Sequence, residues 1–228
     1  MKTVLITGGA TGIGAQTAAL FAENGYTVYA GYNNTPVQNI DIIPIKLDVT
    51  NSEQVDAAID KIGTVDILIN NAGIAQQKLF TDIAEDEWQN MMNIHLGGAF
   101  RLSKAALPAM IRQKSGVIIN ISSIWGMVGA SCEVHYSTAK AGLIGMTKAL
   151  AKEVAPSSIR VNCVAPGVVD TKMSAALSET DKAALCEDIL LGRMATSREI
   201  ASSIFYLASD DASYITGQVL SPNGGWVI

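Results

Sequence analysis

The sequence predicts an α/β fold: a mostly parallel sheet of about seven strands, doubly wound, with helices on both faces in three layers. Two observations carry that expectation. Short apolar runs alternate with helical patterns of about ten residues or more, and this alternation builds right-handed βαβ units, because parallel strands need a crossover between them. The residues with special chemistry then cluster just after the strands, where ligands of such sheets bind.

The elements follow in order. Val4-Leu5-Ile6 reads as a short buried strand. Thr7 to Gly14 is a glycine-rich turn into an apolar-periodic helix through Ala18, Leu20 and Phe21, ended by Asn24-Gly25. Thr27 to Gly31 is the second strand, and a polar stretch from Asn33 to Asn39 follows. Asn34 to Asp41 has no apolar period, so no helix is expected before the third strand, Ile42 to Leu47. Thr50-Asn51-Ser52-Glu53 has the form of a capping box and opens a helix to about Lys61. Strand four is Asp66 to Ile69, and one long helix is expected from about Glu85 to Gln113. Strand five is Val117 to Ile121, and a helix beginning at Tyr136 follows. Strand six is Ile159 to Val164. Residues 168 to 195 show no clear strand, Ser197 to Ala208 is a helix, and Gln218 to Ser221 is a last short strand.

Composition narrows the function classes. A chain of 228 residues, 49% apolar and 16% charged, suits one compact domain spanning 1–228. A net charge of −5 argues against nucleic-acid binding, which wants a basic stripe. No apolar run approaches the roughly 20 residues that cross a membrane. The apolar start Val4 to Ile6 is too short for a signal peptide, so a cytoplasmic location is expected. Cys132, Cys163 and Cys186 are odd in number and lack metal-ligand spacing; reduced thiols and no metal are expected.

Five loops carry chemistry at one sheet edge: Gly8 to Gly14, Asp48, Asn71 to Gly73, Ser123, and Pro166-Gly167. Glycines at a strand-to-helix turn permit close backbone approach, and the helix N-terminus favours a pyrophosphate. Tyr136 and Lys140 stand one helical turn apart on one face. A nearby ammonium is expected to lower the tyrosine pKa from its ordinary value of about 10 and so make it a proton carrier.

At these positions the chain resembles the short-chain dehydrogenase/reductase family, over essentially its whole length. Thr-Gly-x-x-x-Gly-x-Gly matches Thr7 to Gly14, Asn-Asn-Ala-Gly matches Asn70 to Gly73, and Ser with Tyr-x-x-x-Lys matches Ser123, Tyr136 and Lys140. Pro-Gly matches Pro166-Gly167. Arg101 to Ala105, Val161 to Gly167 and Tyr214 to Gln218 are similar to the bacterial 3-oxoacyl-acyl-carrier-protein reductase group. The resemblance implies a Rossmann fold and an NAD(P)-dependent oxidoreductase. It implies that Gly8, Thr11, Gly12, Ile13 and Gly14 hold the pyrophosphate, that Tyr32 and Asn33 lie at the adenosine ribose, and that Asp48 and Val49 contact the adenine. Asn71, Ala72 and Gly73 would line the ribose side, and Pro166, Gly167, Val169 and Thr171 the nicotinamide. Ser123 would hydrogen-bond the substrate oxygen, Tyr136 would transfer the proton, and Lys140 would bind the nicotinamide ribose.

Two departures stand out. His95 occupies the position where the family usually has the asparagine of a proton relay, and it is expected to join that relay. Asn93, two residues earlier, faces nearly the other side of a helix. No acidic residue follows strand two, so a 2′-phosphate is not repelled; yet neither Thr11 nor Asn33 is basic. NADP is the expected cofactor, with NAD the alternative. The expected substrate is a 3-oxoacyl thioester or similar ketone, small or carrier-attached. The pocket should form from residues 74 to 80, Trp125 to Glu133 and 168 to 195. Trp125 to Glu133 is similar to a reductase subgroup acting on an amino-ketone attached to a translation elongation factor, and Glu133 would suit an amine. A non-catalytic nucleotide-binding regulator is the other class. Apolar residues on more than one face of helices 85–113 and 136–155 (Met91, Met92, Leu96, Phe100, Leu107 and Met110; Leu143, Met146, Leu150 and Val154) lead to the expectation of a homotetramer.

Overall fold

A computed structural model of the chain describes residues 1–171 and 179–228. Part of the expected pocket segment, residues 172–178, lies outside them. Nine strands are present among the described residues: β1 (Thr3–Thr7), β2 (Thr27–Tyr32), β3 (Ile43–Lys46), β4 (Ile67–Asn70), β5 (Gly116–Ile121), β6 (Ile159–Val164), β7 (Val169–Asp170), β8 (Ala195–Thr196) and β9 (Val219–Leu220). The helices are α1 (Gly12–Glu23), α2 (Ser52–Ile62), α3 (Glu85–Met92), α4 (Gly98–Gln113), α5 (Trp125–Val128), α6 (Val134–Val154), α7 (Glu179–Asp188) and α8 (Ser197–Ala208).

Seven strands form one all-parallel sheet in the order β3-β2-β1-β4-β5-β6-β9. The order reverses at β1, so the crevice beyond the carboxyl ends of β1 and β4 is the ligand-binding position of a Rossmann sheet. Side chains of a strand alternate between faces. Val4 and Ile6 of β1, Ile67 and Ile69 of β4, and Ile119 and Ile121 of β5 enter one core with Phe21, Ile200 and Ile204 of α1 and α8. Leu5, Leu68 and Ile118 enter the other, with Val55 and Ile59 of α2, Leu102 and Met110 of α4 and Val154 of α6. Both faces are thereby covered, and the central strands β1, β4, β5 and β6 are buried almost throughout.

The structure differs from the sequence expectation in four places. The helix expected over 85–113 is interrupted: Asn93–Gly97 forms a π-helical turn between α3 and α4. An extra residue per turn rotates the faces on either side, and His95 sits within it. The cap of α2 is Asn51 rather than Thr50. The Asn51 side chain accepts from the Gln54 amide at 3.0 Å, while Gln54 reaches back to the Asp48 amide at 2.9 Å. The Thr50 hydroxyl is instead committed to the Asp48 carboxylate at 2.7 Å. Within 168–195, β7 and β8 pair over two residues each, a ladder too short to leave a periodic signal. The helix opening at Tyr136 starts two residues earlier, at Val134. The segment between β2 and β3 is helix-free, as its lack of apolar period implied.

Candidate active site

The glycine loop and β4 are bolted together by polar groups. The Thr7 hydroxyl, at the end of β1, accepts from the Asn71 and Ala72 amides, both at 2.9 Å. The Asn71 side-chain amide donates to the Thr7 carbonyl at 2.9 Å and the Gly8 carbonyl at 3.2 Å. Asn71 therefore fixes the loop with its side chain, rather than offering that side chain to a ligand. Gly14 also acts through packing: a Cβ there would lie 2.2 Å from the Gly8 carbonyl oxygen, so only glycine lets α1 sit this close to β1. Gly12, at φ +53°, has open cleft in front of it, with Thr171 at 3.5 Å from where a side chain would begin.

The N-terminus of α1 fits a pyrophosphate on its own chemistry. Thr11 is in extended geometry and makes no side-chain cap, and no acidic residue stands in the first turn. The first backbone N–H groups of α1 thus lack an intrahelical partner and face the cleft with the positive end of the helix dipole.

The cleft has a volume of about 1020 Å³. It gathers Gly8, Thr11, Gly12, Ile13, Asn71, Ala72, Gly73, His95, Ser123, Tyr136, Lys140, Pro166, Gly167, Val169 and Thr171, all expected from the sequence. Tyr32, Asn33, Asp48 and Val49 do not line it; they form a separate group at the outer strands. There the Asp48 carboxylate accepts from the Thr50 amide at 2.9 Å and the Thr50 hydroxyl, which hold its pKa below the ordinary value.

Three local devices place the reaction centre. The loop after β5 is pinned to the loop after β6 by the Ser122 amide on the Val164 carbonyl at 2.7 Å and the Ile124 amide on the Pro166 carbonyl at 3.0 Å. The Ser122 hydroxyl donates to the Lys140 carbonyl at 2.8 Å, tying that loop to α6. Gly126 allows α5 to touch α6: a Cβ would meet the Lys140 carbonyl carbon and the Ser122 hydroxyl at 2.7 Å. Ser123 thereby stands in hydrogen-bond contact with the Tyr136 hydroxyl.

The electrostatics correct one expectation. Burial pushes Tyr136 up to about 12; the Ser123 hydrogen bond pulls it down and the Glu133 charge pushes it up, both by less. Lysine does not dominate, although the Lys140 ammonium lies 5.5 Å from the centre of the Tyr136 ring. Burial also brings Lys140 down to about 8. Its described hydrogen bond is to the Ile121 carbonyl at 2.8 Å, leaving donors for ribose hydroxyls.

His95 is buried in the π-turn, its ring edge-on to Tyr136 with centroids 5.4 Å apart. Nε2 lies 2.8 Å from the Ile74 carbonyl and 3.1 Å from the Ile74 amide, and Nδ1 has no hydrogen-bond partner. Burial first, then the Lys140 charge, holds its pKa well below 6.5, so the ring is neutral at physiological pH. Asn93 points elsewhere, to the Arg101 guanidinium at 2.5 Å, and Arg101 also donates to the Val49 carbonyl at 3.3 Å. The π-turn is thus joined to the loop after β3 through Arg101, a role that the sequence signalled only as part of a similar stretch. Sequence reasoning also missed Thr7 and Ser122, because their partners are backbone atoms distant along the chain.

On the substrate side, Trp125 stands on α5 and stacks edge-on against Trp226, with ring centroids 5.1 Å apart. The Gln77 side chain donates to the Glu133 carboxylate at 3.2 Å. His135 Nε2 meets the Gln76 side-chain oxygen at 2.9 Å, and Gln76 donates to Glu87 at 2.7 Å. Beside these, Asp181 and Asp188 of α7 line the same cleft.

A family profile described as enoyl-(acyl carrier protein) reductase matches residues 8–227. The chain belongs to the short-chain dehydrogenase/reductase family. It is 40% identical to the 3-oxoacyl-(acyl-carrier-protein) reductase FabG of Thermotoga maritima over 243 aligned positions, covering 100% of this chain and 98% of that protein. FabG of Chlamydia muridarum is 41% identical, with 98% of this chain and 96% of that protein covered. An uncharacterized oxidoreductase of Bacillus subtilis, YmfI, is 40% identical, with 99% and 98% covered. As a member of this family the chain is an NAD(P)-dependent oxidoreductase acting on carbonyl and alcohol groups. No described helix is long and apolar enough to cross a membrane.

Proposed function

We propose that the protein is an NADPH-dependent reductase of 3-oxoacyl groups presented as thioesters on a carrier, with Tyr136 as the proton donor. The observation that carries this reading is the Tyr136 hydroxyl: hydrogen-bonded to Ser123 at the cleft floor, with a pKa near 12, it holds its proton throughout the neutral range. Reduced nicotinamide, when bound, supplies the hydride. Ser123 and Tyr136 are two hydroxyl donors converging where charge develops on the carbonyl oxygen, and such fixed donors lower the barrier in a site that excludes water. Tyr136 then gives up its proton as the alcohol forms. Lys140 holds the ribose and supplies positive charge close to the phenolate that remains. His95, neutral and fixed to Ile74, positions the Gly73-Ile74 backbone and the Tyr136 ring.

The full-length similarity to FabG proteins supports the acyl-carrier substrate. A second reading, a ketone bearing an amine, is favoured by one specific observation. Glu133, Asp181 and Asp188 all line the cleft, and among its described lining residues Lys140 is the one cation. Oxidation of NADPH and of NADH with acetoacetyl thioesters and with amino-ketones tests both readings. Faster turnover of the thioester with NADPH supports the first, and preference for the amino-ketone supports the second. Cofactor binding with no ketone turned over would favour a regulator.

We also infer a homotetramer working in the cytoplasm. Of the residues expected to form its contacts, Met91, Met110, Leu143 and Val154 are instead consumed by the core. Met92, Leu96, Phe100 and Met146 remain and line an open groove of about 740 Å³ with Gly142 between α3, α4 and α6. Phe100 is 55% exposed there. Light scattering at micromolar concentration tests the assembly, and a monomeric mass overturns it.

A further inference from the structure

Lys46 is the last residue of β3, beside the end of β2: in the parallel ladder it pairs with Tyr32. Its ammonium donates to the Asn33 carbonyl and, at 3.1 Å, to the Asn33 side-chain oxygen. It also lies 5.7 Å from the centre of the Tyr32 ring. Asn33 is the residue just beyond β2, where a Rossmann sheet reads the adenosine ribose: an acid binds the 2′-hydroxyl, and a nearby cation accommodates a 2′-phosphate. The residues that follow β2, Tyr32 to Thr35, carry no charge of their own.

Lys46 reaches this place because the chain between β2 and β3 is short and forms no helix. Residues 38 to 41 are exposed, and nothing in them covers the lysine, which is itself exposed. The Asp48 carboxylate is already held by the Thr50 amide and hydroxyl and by the Asn33 side chain, and it feels Lys46 as a nearby charge. The bonds from Lys46 to Asn33 are to neutral oxygens, and a phosphate would outcompete them because it adds a direct attraction between opposite full charges.

We propose that Lys46 is the residue that selects a 2′-phosphorylated adenosine, placing the basic group on β3 instead of on the glycine loop or immediately after β2. This rests on the NADP reading above. Tyr32 offers an aromatic face beside it, and Asn33 positions the ammonium. The lysine then acts as a point charge for the 2′-phosphate.

The test is calorimetric binding of 5′-AMP and adenosine 2′,5′-bisphosphate to the full chain, two probes that differ only in the 2′-phosphate and need no turnover. The wild type is expected to favour the bisphosphate by about tenfold or more, as one charge-assisted contact allows. That preference should shrink as salt is raised. Lys46→Gln is expected to lose most of the preference with little change in AMP affinity, and Lys46→Arg to retain it. If Lys46→Gln keeps the preference, Lys46 is not the selector, while the NADP reading stands. If both probes weaken equally in Lys46→Gln and its melting temperature falls, Lys46 only closes the loop on Asn33 and the proposal is overturned. If the wild type shows no preference at all, the NADP reading fails and the proposal with it.

Discussion

The two ends of the proposed cofactor path are built on opposite principles. At the reaction end, Ser123, Lys140 and His95 are buried, and burial moves Tyr136, Lys140 and His95 away from their ordinary pKa values. At the adenosine end, Asn33 and Lys46 are exposed, the connection between β2 and β3 is stripped to a loop, and Ile40 within it is 96% exposed. The difference teaches where each kind of specificity comes from. Proton transfer needs a fixed geometry in low dielectric, where a hydroxyl aimed at the right atom is worth most. Recognition of a phosphate needs only a charge at the right distance, which a flexible surface lysine supplies.

The comparison breaks most visibly at Tyr136. Tyr136→Phe is expected to lower turnover by about 10² to 10⁴, the range of a general acid, while cofactor binding measured by fluorescence stays nearly unchanged. A variant retaining more than about half its activity would show that the reaction end does not depend on this proton.

A second change probes how tightly the reaction end is packed. A Cβ on Gly73 would fall 2.3 Å from His95 Cε1 and 2.8 Å from Nδ1. Gly73→Ala should therefore destabilise by about 1–3 kcal/mol in chemical denaturation, as overpacking does. In a His95→Asn background the smaller side chain leaves room, so the cost should drop by about 0.5 kcal/mol or more. Additive effects would mean that the contact relaxes freely and that the site is less rigid than its geometry implies.

The titration of His95 sharpens the same point. Its folded-state pKa lies well below 6.5, depressed by burial, by Lys140 and by His135, against the Ile74 hydrogen bond that raises it. Between the folded and unfolded values the unfolded chain binds a proton that the folded chain does not. Stability therefore falls as pH drops below about 6.5, by at most about 1.4 kcal/mol per pH unit. Melting temperatures from pH 7 downward should fall more steeply for wild type than for His95→Asn. A His95 that joined the proton relay would give turnover an inflection on the acid side; its burial moves that point well below pH 6.5, so the two pH–rate profiles should coincide above that value. Divergence near pH 6.5 would mean that the ring is open to solvent.

The smallest effect belongs to the other end. Ile40→Ser should change stability by no more than about 0.5 kcal/mol, since no buried contact is lost. A larger loss would show that the β2–β3 loop is packed in solution.

Much of this protein was legible in its sequence because the signals are local. Strand-helix alternation, the glycine spacing from Gly8 to Gly14, and Tyr136 with Lys140 one turn apart are each set by backbone geometry over a few residues. That suffices to place the parallel sheet and to bring most of the expected residues to one cleft, with Tyr32, Asn33, Asp48 and Val49 apart from it. Tertiary structure decided what depends on distant partners. It chose Asn51 over Thr50 as the cap, because Asp48 claims the Thr50 hydroxyl. It put a π-turn under His95, turned Asn71 and Gly14 into packing elements, and consumed Met91, Met110, Leu143 and Val154, all expected at an interface. It raised the Tyr136 pKa where a lysine neighbour alone would have lowered it, since desolvation is a property of the whole surroundings and not of sequence spacing. It also carried Lys46 across from the neighbouring strand to Asn33, a meeting that strand pairing creates and that no motif along the chain records.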